Sequence, residues 1–101
     1  MMDLILLLGA ESDVQGAFNR LENVQEGRGL LFLRSVEAAL GLLRQHPEAG
    51  PHYEGAYRRL LLPRFPFGLF YELQPRRIIV IAIMDLRQSP QSIRSRLFGH
   101  P

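Results

Sequence analysis

Apolar residues run almost unbroken from Met2 to Leu8, recur at helical spacing up to Leu43, and return after Tyr57 as strand-length stretches. The first run has the continuous apolarity of a buried strand. Gly9-Ala10 breaks it, and Ser12 with Gln15 makes a capping-box pattern, so a helix is expected to open there. Val14, Ala17, Phe18, Leu21 and Val24 give that helix one apolar face. Gly27-Arg28-Gly29 predicts a turn. A second helix follows, with Phe32, Leu33, Val36, Ala39, Leu40 and Leu43 on its inner stripe, and it must stop before Pro47. Two helices joined this way form an antiparallel hairpin. Pro47 to Gly55 reads as loop from its Pro and Gly content.

The second half reads as sheet. Tyr57 to Leu62 predicts a strand with Arg58, Leu60 and Leu62 on one face and Arg59 and Leu61 on the other. Phe67 to Leu73 and Arg77 to Met84 predict a β-hairpin about Gln74-Pro75-Arg76, with Pro75 placed where no ladder N–H is needed. Ile78 to Ile83 is apolar on both faces, which puts it in the sheet interior and makes Ile81 a core residue. Tyr71 shares a face with Phe67, Leu69 and Leu73, which predicts a core ring with its hydroxyl at the rim. Ser89-Pro90 is an N-cap followed by an N1 proline, opening a short helix to about Leu97 that Gly99 ends. The expected fold is α+β: a small antiparallel sheet (β-α-α-β-β-β, with a short C-terminal helix) packed against an N-terminal helical hairpin. Residues 1–101 make one domain, since a chain of this length holds one core and is too small for two.

Composition narrows the class. There is no cysteine, so no disulfide framework and no thiolate metal site, which fits a reducing compartment. Leu4-Ile5-Leu6-Leu7-Leu8 is too short to span a bilayer and lacks the flanks of a signal peptide, so a soluble, cytoplasmic protein is expected, with no membrane partner. All twelve basic residues are Arg. Residues 1–56 carry four of them against eight acids, a net of −4, and residues 57–101 carry eight against two, a net of +6. A GC-rich genome explains missing Lys but not the gathering of Arg in one half. Planar, bidentate donors of this kind suit carboxylates and phosphates, so the basic half attracts nucleic acid or an acidic protein segment.

The words HPEAGPHYEG (His46 to Gly55), RRLLL (Arg58 to Leu62), RFPFGLFYEL (Arg64 to Leu73) and the LRQSP after the last strand, with a weaker AESDVQGAF (Ala10 to Phe18), resemble in their order the ParE/RelE superfamily of toxins from type II toxin–antitoxin modules. The resemblance covers nearly the whole chain and implies the same α+β fold. It also implies a plasmid-stabilisation type of function. The chain would be a toxin that arrests growth and is neutralised by a cognate antitoxin whose acidic C-terminal segment wraps it. Homo-oligomer and toxin–antitoxin hetero-oligomer both stay open.

Two kinds of chemistry occur in that superfamily. RelE-type members cut mRNA on the ribosome, which needs proton donors and acceptors beside cationic stabilisation of the phosphate. Arg supplies the last but not the first, because its guanidinium stays protonated at any physiological pH. Many members carry a His just after the last long strand; here that stretch reads Met84-Asp85-Leu86-Arg87, and the Asp repels a phosphate. His46 and His52 fall in the loop after the second helix, and His100 is the penultimate residue. The FPF-G-x-F-Y wording, where ParE-like chains usually have FPY, points to the ParE-like branch. By resemblance that branch inhibits DNA gyrase by binding it, without catalysis. The alternatives are a ribosome-dependent endoribonuclease, with Arg64 and Arg87 on the phosphate and Tyr71 as proton carrier, and an inactive member retaining antitoxin binding. Arg58, Arg59, Arg64 and Arg87 are the candidate antitoxin- or target-binding residues. Arg58 and Arg59 point to opposite faces, so at most one can join Arg64, and Arg87 has Asp85 within reach as an ion-pair partner. The three His lack metal-ligand spacing, so no metal and no other cofactor is expected.

Overall fold

The computed structural model describes residues 2–99. Its elements run β1 (Asp3–Leu6), α1 (Leu8–Val24), α2 (Arg28–Gln45), β2 (His52–Glu54), β3 (Tyr57–Leu61), β4 (Phe67–Leu73), β5 (Arg77–Asp85) and α3 (Pro90–Phe98). The five strands form one sheet in the order β1-β5-β4-β3-β2. Every neighbouring pair is antiparallel except β1 and β5, which run parallel with Asp3 beside Arg77 and Leu6 beside Val80.

The helical hairpin covers one face. Phe32, Val36, Ala39 and Leu43 of α2 and Ala10 and Ala17 of α1 pack on Phe67, Leu69 and Tyr71 of β4 and on Ile78, Val80 and Ile83 of β5. The hairpin is tight because Gly29 is where the two helices touch: a Cβ there would lie 2.7 Å from the Phe18 ring. Glu22 of α1 then caps α2, accepting from the Gly27 and Gly29 amides at 3.0 Å each. On the other face α3 lays Ile93 and Leu97 over Phe70, Ala82 and Met84. The Ser89 side chain accepts from Ser92 N, and Pro90 follows in the first turn, as the sequence predicts.

Five expectations need correction. The helix α1 opens at Leu8, not Ser12, so Gly9 and Ala10 are helical and the Ser12/Gln15 capping box does not form. Leu7 N donates to Val80 O at 3.0 Å, so the chain passes straight from the β5 ladder into the helix without a side-chain cap. Val24 is 78% exposed and off the buried face. The stretch after Pro47 contains a strand: β2 forms a hairpin with β3 across Gly55-Ala56, where Gly55 takes φ 59°. Ile81 is only half-buried, because the pairing jumps from Tyr71↔Val80 to Phe70↔Ala82 and leaves Ile81 as the extra residue of a bulge. The Tyr71 ring and hydroxyl are both internal: the residue has no exposed surface, and its Oη donates to Pro47 O at 2.7 Å and accepts from Gly50 N at 3.0 Å.

The bulge sets a stability test. Ile83→Ala, at a fully packed site, should remove about 2–5 kcal/mol in urea unfolding. Ile81→Ala should remove roughly half as much, because its side chain keeps contact with water. Equal losses would place the bulge elsewhere.

Candidate functional site at the arginine-bearing end of the sheet

The β3–β4 connection and the end of β5 meet at one end of the sheet, where Leu86 N donates to Pro66 O at 2.8 Å and Phe67 pairs with Asp85. The connection is pinned on three sides. Phe65 is buried edge-on to Phe32 at 5.5 Å, Ser35 Oγ donates to Pro63 O at 2.7 Å, and Leu62 N donates to Phe67 O at 2.9 Å. Between those anchors Arg64 takes φ 69°, a left-handed conformation that costs a non-glycine residue energy and survives only where its surroundings dictate it. The result is an exposed guanidinium carried on a rigid tip. Arg28, from the first turn of α2, lies 5.3 Å from the centroid of the Phe65 ring.

The alternation of β3 separates the arginine pair. Arg58 turns toward the helical-hairpin side, where Nη1 donates to Gly50 O at 2.9 Å and Glu48 O at 3.4 Å, so its charge holds the loop after α2. Arg59 lies on the opposite face: its guanidinium is 5.2 Å from the Tyr53 ring centroid, and its stem runs past Gly68, where a Cβ would come 3.2 Å from Arg59 Cγ and 3.0 Å from Leu86. Gly68 is therefore the gap along which the Arg59 stem lies. The structure thus brings Arg64 and Arg87 to one end of the sheet, sends the Arg59 guanidinium onto Tyr53 of β2, and leaves Arg58 on the other face.

Arg87 is already engaged. Its Nε and Nη2 donate to Asp85 Oδ1 and Oδ2 at 3.0 and 2.7 Å, and its backbone N donates to Oδ1 at 2.9 Å. These side-chain bonds hold the Asp85 carboxyl below the usual carboxylate range, against the opposing pull of partial burial, with the charges of Arg87 and Arg20 adding to them. The same bonds raise the Arg87 guanidinium. Tyr71 lies in the core and takes no part in this surface. His46 is exposed at the C-terminus of α2, and His52 Nε2 bonds Gly55 O in the β2–β3 turn. His100 lies outside the described residues. Among the described residues no group of three His, Cys, Asp or Glu is placed to hold a metal ion, and no helix is long and apolar enough to cross a membrane.

No local pattern marks the residues that close this end. Asp13 of α1 accepts from Ile83 N at 2.9 Å, at a point of β5 that β1 no longer covers, and takes Arg96 Nη1 and Nη2 of α3 at 2.8 Å each. Gly9 leaves room for that bridge, since a Cβ there would lie 2.9 Å from Arg96 Nη2. Partners 83 residues apart leave no local pattern.

No family model and no characterised protein sequence matches this chain. A solved structure does. It is described as "Chromosomal ParDE TA system from P. aeruginosa" and superposes with a TM-score of 0.77 at 21% identity, covering 86% of this chain and 98% of that one. The fold is ParE-like. The ParE-like framework accounts for the helical hairpin, the antiparallel sheet and the short last helix together.

Asp13 offers a direct test of how this framework is closed. Asp13→Ala should cost about 1–3 kcal/mol, because it removes the Arg96 bridge and leaves the Ile83 N–H unpaired. Amide exchange should also quicken across residues 90–98. Arg94→Ala, which breaks only the exposed bridge to Glu54, should cost less than about 1 kcal/mol. Equal effects from the two variants would remove Asp13 from its clamping role.

Proposed function

We propose that this protein is the toxin of a type II toxin–antitoxin module, a ParE-type inhibitor that binds DNA gyrase and is neutralised by a cognate antitoxin. The ParE-like fold supports the module, and the printed description of the similar structure is that of a ParDE system. The observation that carries the branch is the occupant of the strand end. A ribonuclease needs a proton carrier there, beside cations free to meet a phosphate. This chain has Asp85 bonded to Arg87, while the Tyr71 hydroxyl is held in the core. Arg64 keeps its donors exposed at this end, and they suit carboxylates on a protein surface. The reaction, in this reading, is the target enzyme's own, and the toxin contributes only binding.

Expression without antitoxin should stop DNA replication within minutes, followed by filamentation and a DNA-damage response, with mRNA intact at early times. The purified protein should inhibit supercoiling by gyrase. Codon-phased mRNA ends with unaffected gyrase would overturn this and point to Arg64 and Arg87 as phosphate stabilisers, with Tyr71 or Asp85 carrying the proton.

The antitoxin interface yields a second test. Association with an acidic antitoxin segment should slow as salt rises. The double reversal Arg59→Glu/Arg64→Glu should lower the association rate roughly tenfold. Arg58 is a poor probe, since its loss frees the loop carbonyls it holds. An unchanged rate would take the antitoxin contact away from this end of the sheet.

A further inference from the structure

Asp85 sits where an external anion would be expected to bind. Its two oxygens face the Nε and Nη2 of Arg87 in the side-by-side arrangement that a phosphate adopts on a guanidinium. The carboxylate is oriented further by the Arg87 backbone N–H, which it also accepts at 2.9 Å. It lines one wall of a cleft of about 360 Å³ between α1 and the end of β5, and Arg20 reaches into that cleft from α1. Among the described residues Arg20 has no ion-pair partner, while the cleft's other arginine, Arg96, is taken up by Asp13. The cleft is therefore lined by two guanidiniums, Arg20 and the Asp13-paired Arg96, and by Asp85, which carries its own partner Arg87.

We propose that Asp85 is a specificity-determining residue: a built-in carboxylate that occupies the Arg87 guanidinium and keeps this arginine-bearing end of the sheet from binding phosphodiester anions. The ligand class it rejects is single-stranded nucleic acid, whose backbone phosphate would have to meet Arg20 and Arg87 with a fixed negative charge between them. Discrimination by an opposing charge of this kind acts against the wrong partner without adding affinity for the right one. A protein partner avoids the conflict, because its acidic side chains need not follow one another at the fixed spacing of a phosphate backbone and can meet Arg64 alone. The inference concerns binding by the isolated protein and stands whatever the target in the cell.

The test is binding of a short fluorescein-labelled oligouridylate at low salt, read by anisotropy on the purified full chain. The wild type should bind weakly. Asp85→Asn should bind about five- to tenfold more tightly, the size expected when one unit charge near a phosphate is removed at a partly screened surface, and its salt dependence should steepen. Asp85→Asn/Arg87→Gln, which restores the wild-type net charge, should return to weak binding. Asp3→Asn makes the same change in net charge at the opposite end of the sheet and should leave binding unaltered. Asp85→Ser is the second variant should the amide fail to fold, since its hydroxyl can still accept from Arg87 N. The proposal is overturned by unchanged binding in the Asp85 variants, by a gain that persists without Arg87, or by an equal gain from Asp3→Asn.

Discussion

The structure depends on β5 being apolar on both faces and bordered on both edges. Ile78, Val80 and Ile83 meet the helical hairpin, and Ala82 and Met84 meet α3. β4 takes one edge along its whole length, whereas β1 takes only the first part of the other. A strand in that position anchors two apolar layers, one on each face of the sheet. It also fixes what its C-terminal end can present, since the residues after Met84 leave the sheet at the place where the β3–β4 connection returns.

Beyond Val80 the free edge of β5 would expose ladder groups, and a side chain from α1 substitutes for the missing strand. The same device appears twice more: Glu22 fills the amides at the start of α2, and Asp85 fills the Arg87 guanidinium. Three carboxylates of the chain thus sit on three sets of donors that could have held an anion. Of the three, only Asp13 brings a charge from outside the basic half, to Arg96; Asp85 is already counted within that half's net charge of +6. Arg64 and Arg59 stand outside these pairings, one on a tip held in a strained conformation and the other laid across a glycine.

The parts of the fold legible in the sequence are those with local causes. The second helix, the β4–β5 hairpin and the capped last helix follow from periodicity, a proline turn and a Ser-Pro start, and all three stand where expected. The opening of α1 was hidden because its first turn is ordered by a carbonyl of β5, and the Gly-Ala pair that looks like a break is needed there for close approach. β2 has three residues and owes its existence to β3, so it carries no periodicity of its own. At the candidate site, strict alternation correctly separated Arg58 from Arg59, and the Asp85–Arg87 pair could be read from spacing alone. The Asp13–Arg96 clamp could not, because only the tertiary fold brings those residues together.

The parallel pairing of β1 has a consequence for synthesis. The first strand of the chain is the last to gain its neighbour, since Leu4 and Leu6 must wait for Ile78 and Val80 to emerge from the ribosome. At typical elongation rates that interval is on the order of 4–15 seconds. Throughout it the leucine-rich first strand has no sheet to join and only the helical hairpin to shelter against. Completion of the fold is therefore tied to completion of β5, and a nascent chain stopped short of that strand would display a sticky, unpaired β1 in place of a finished surface.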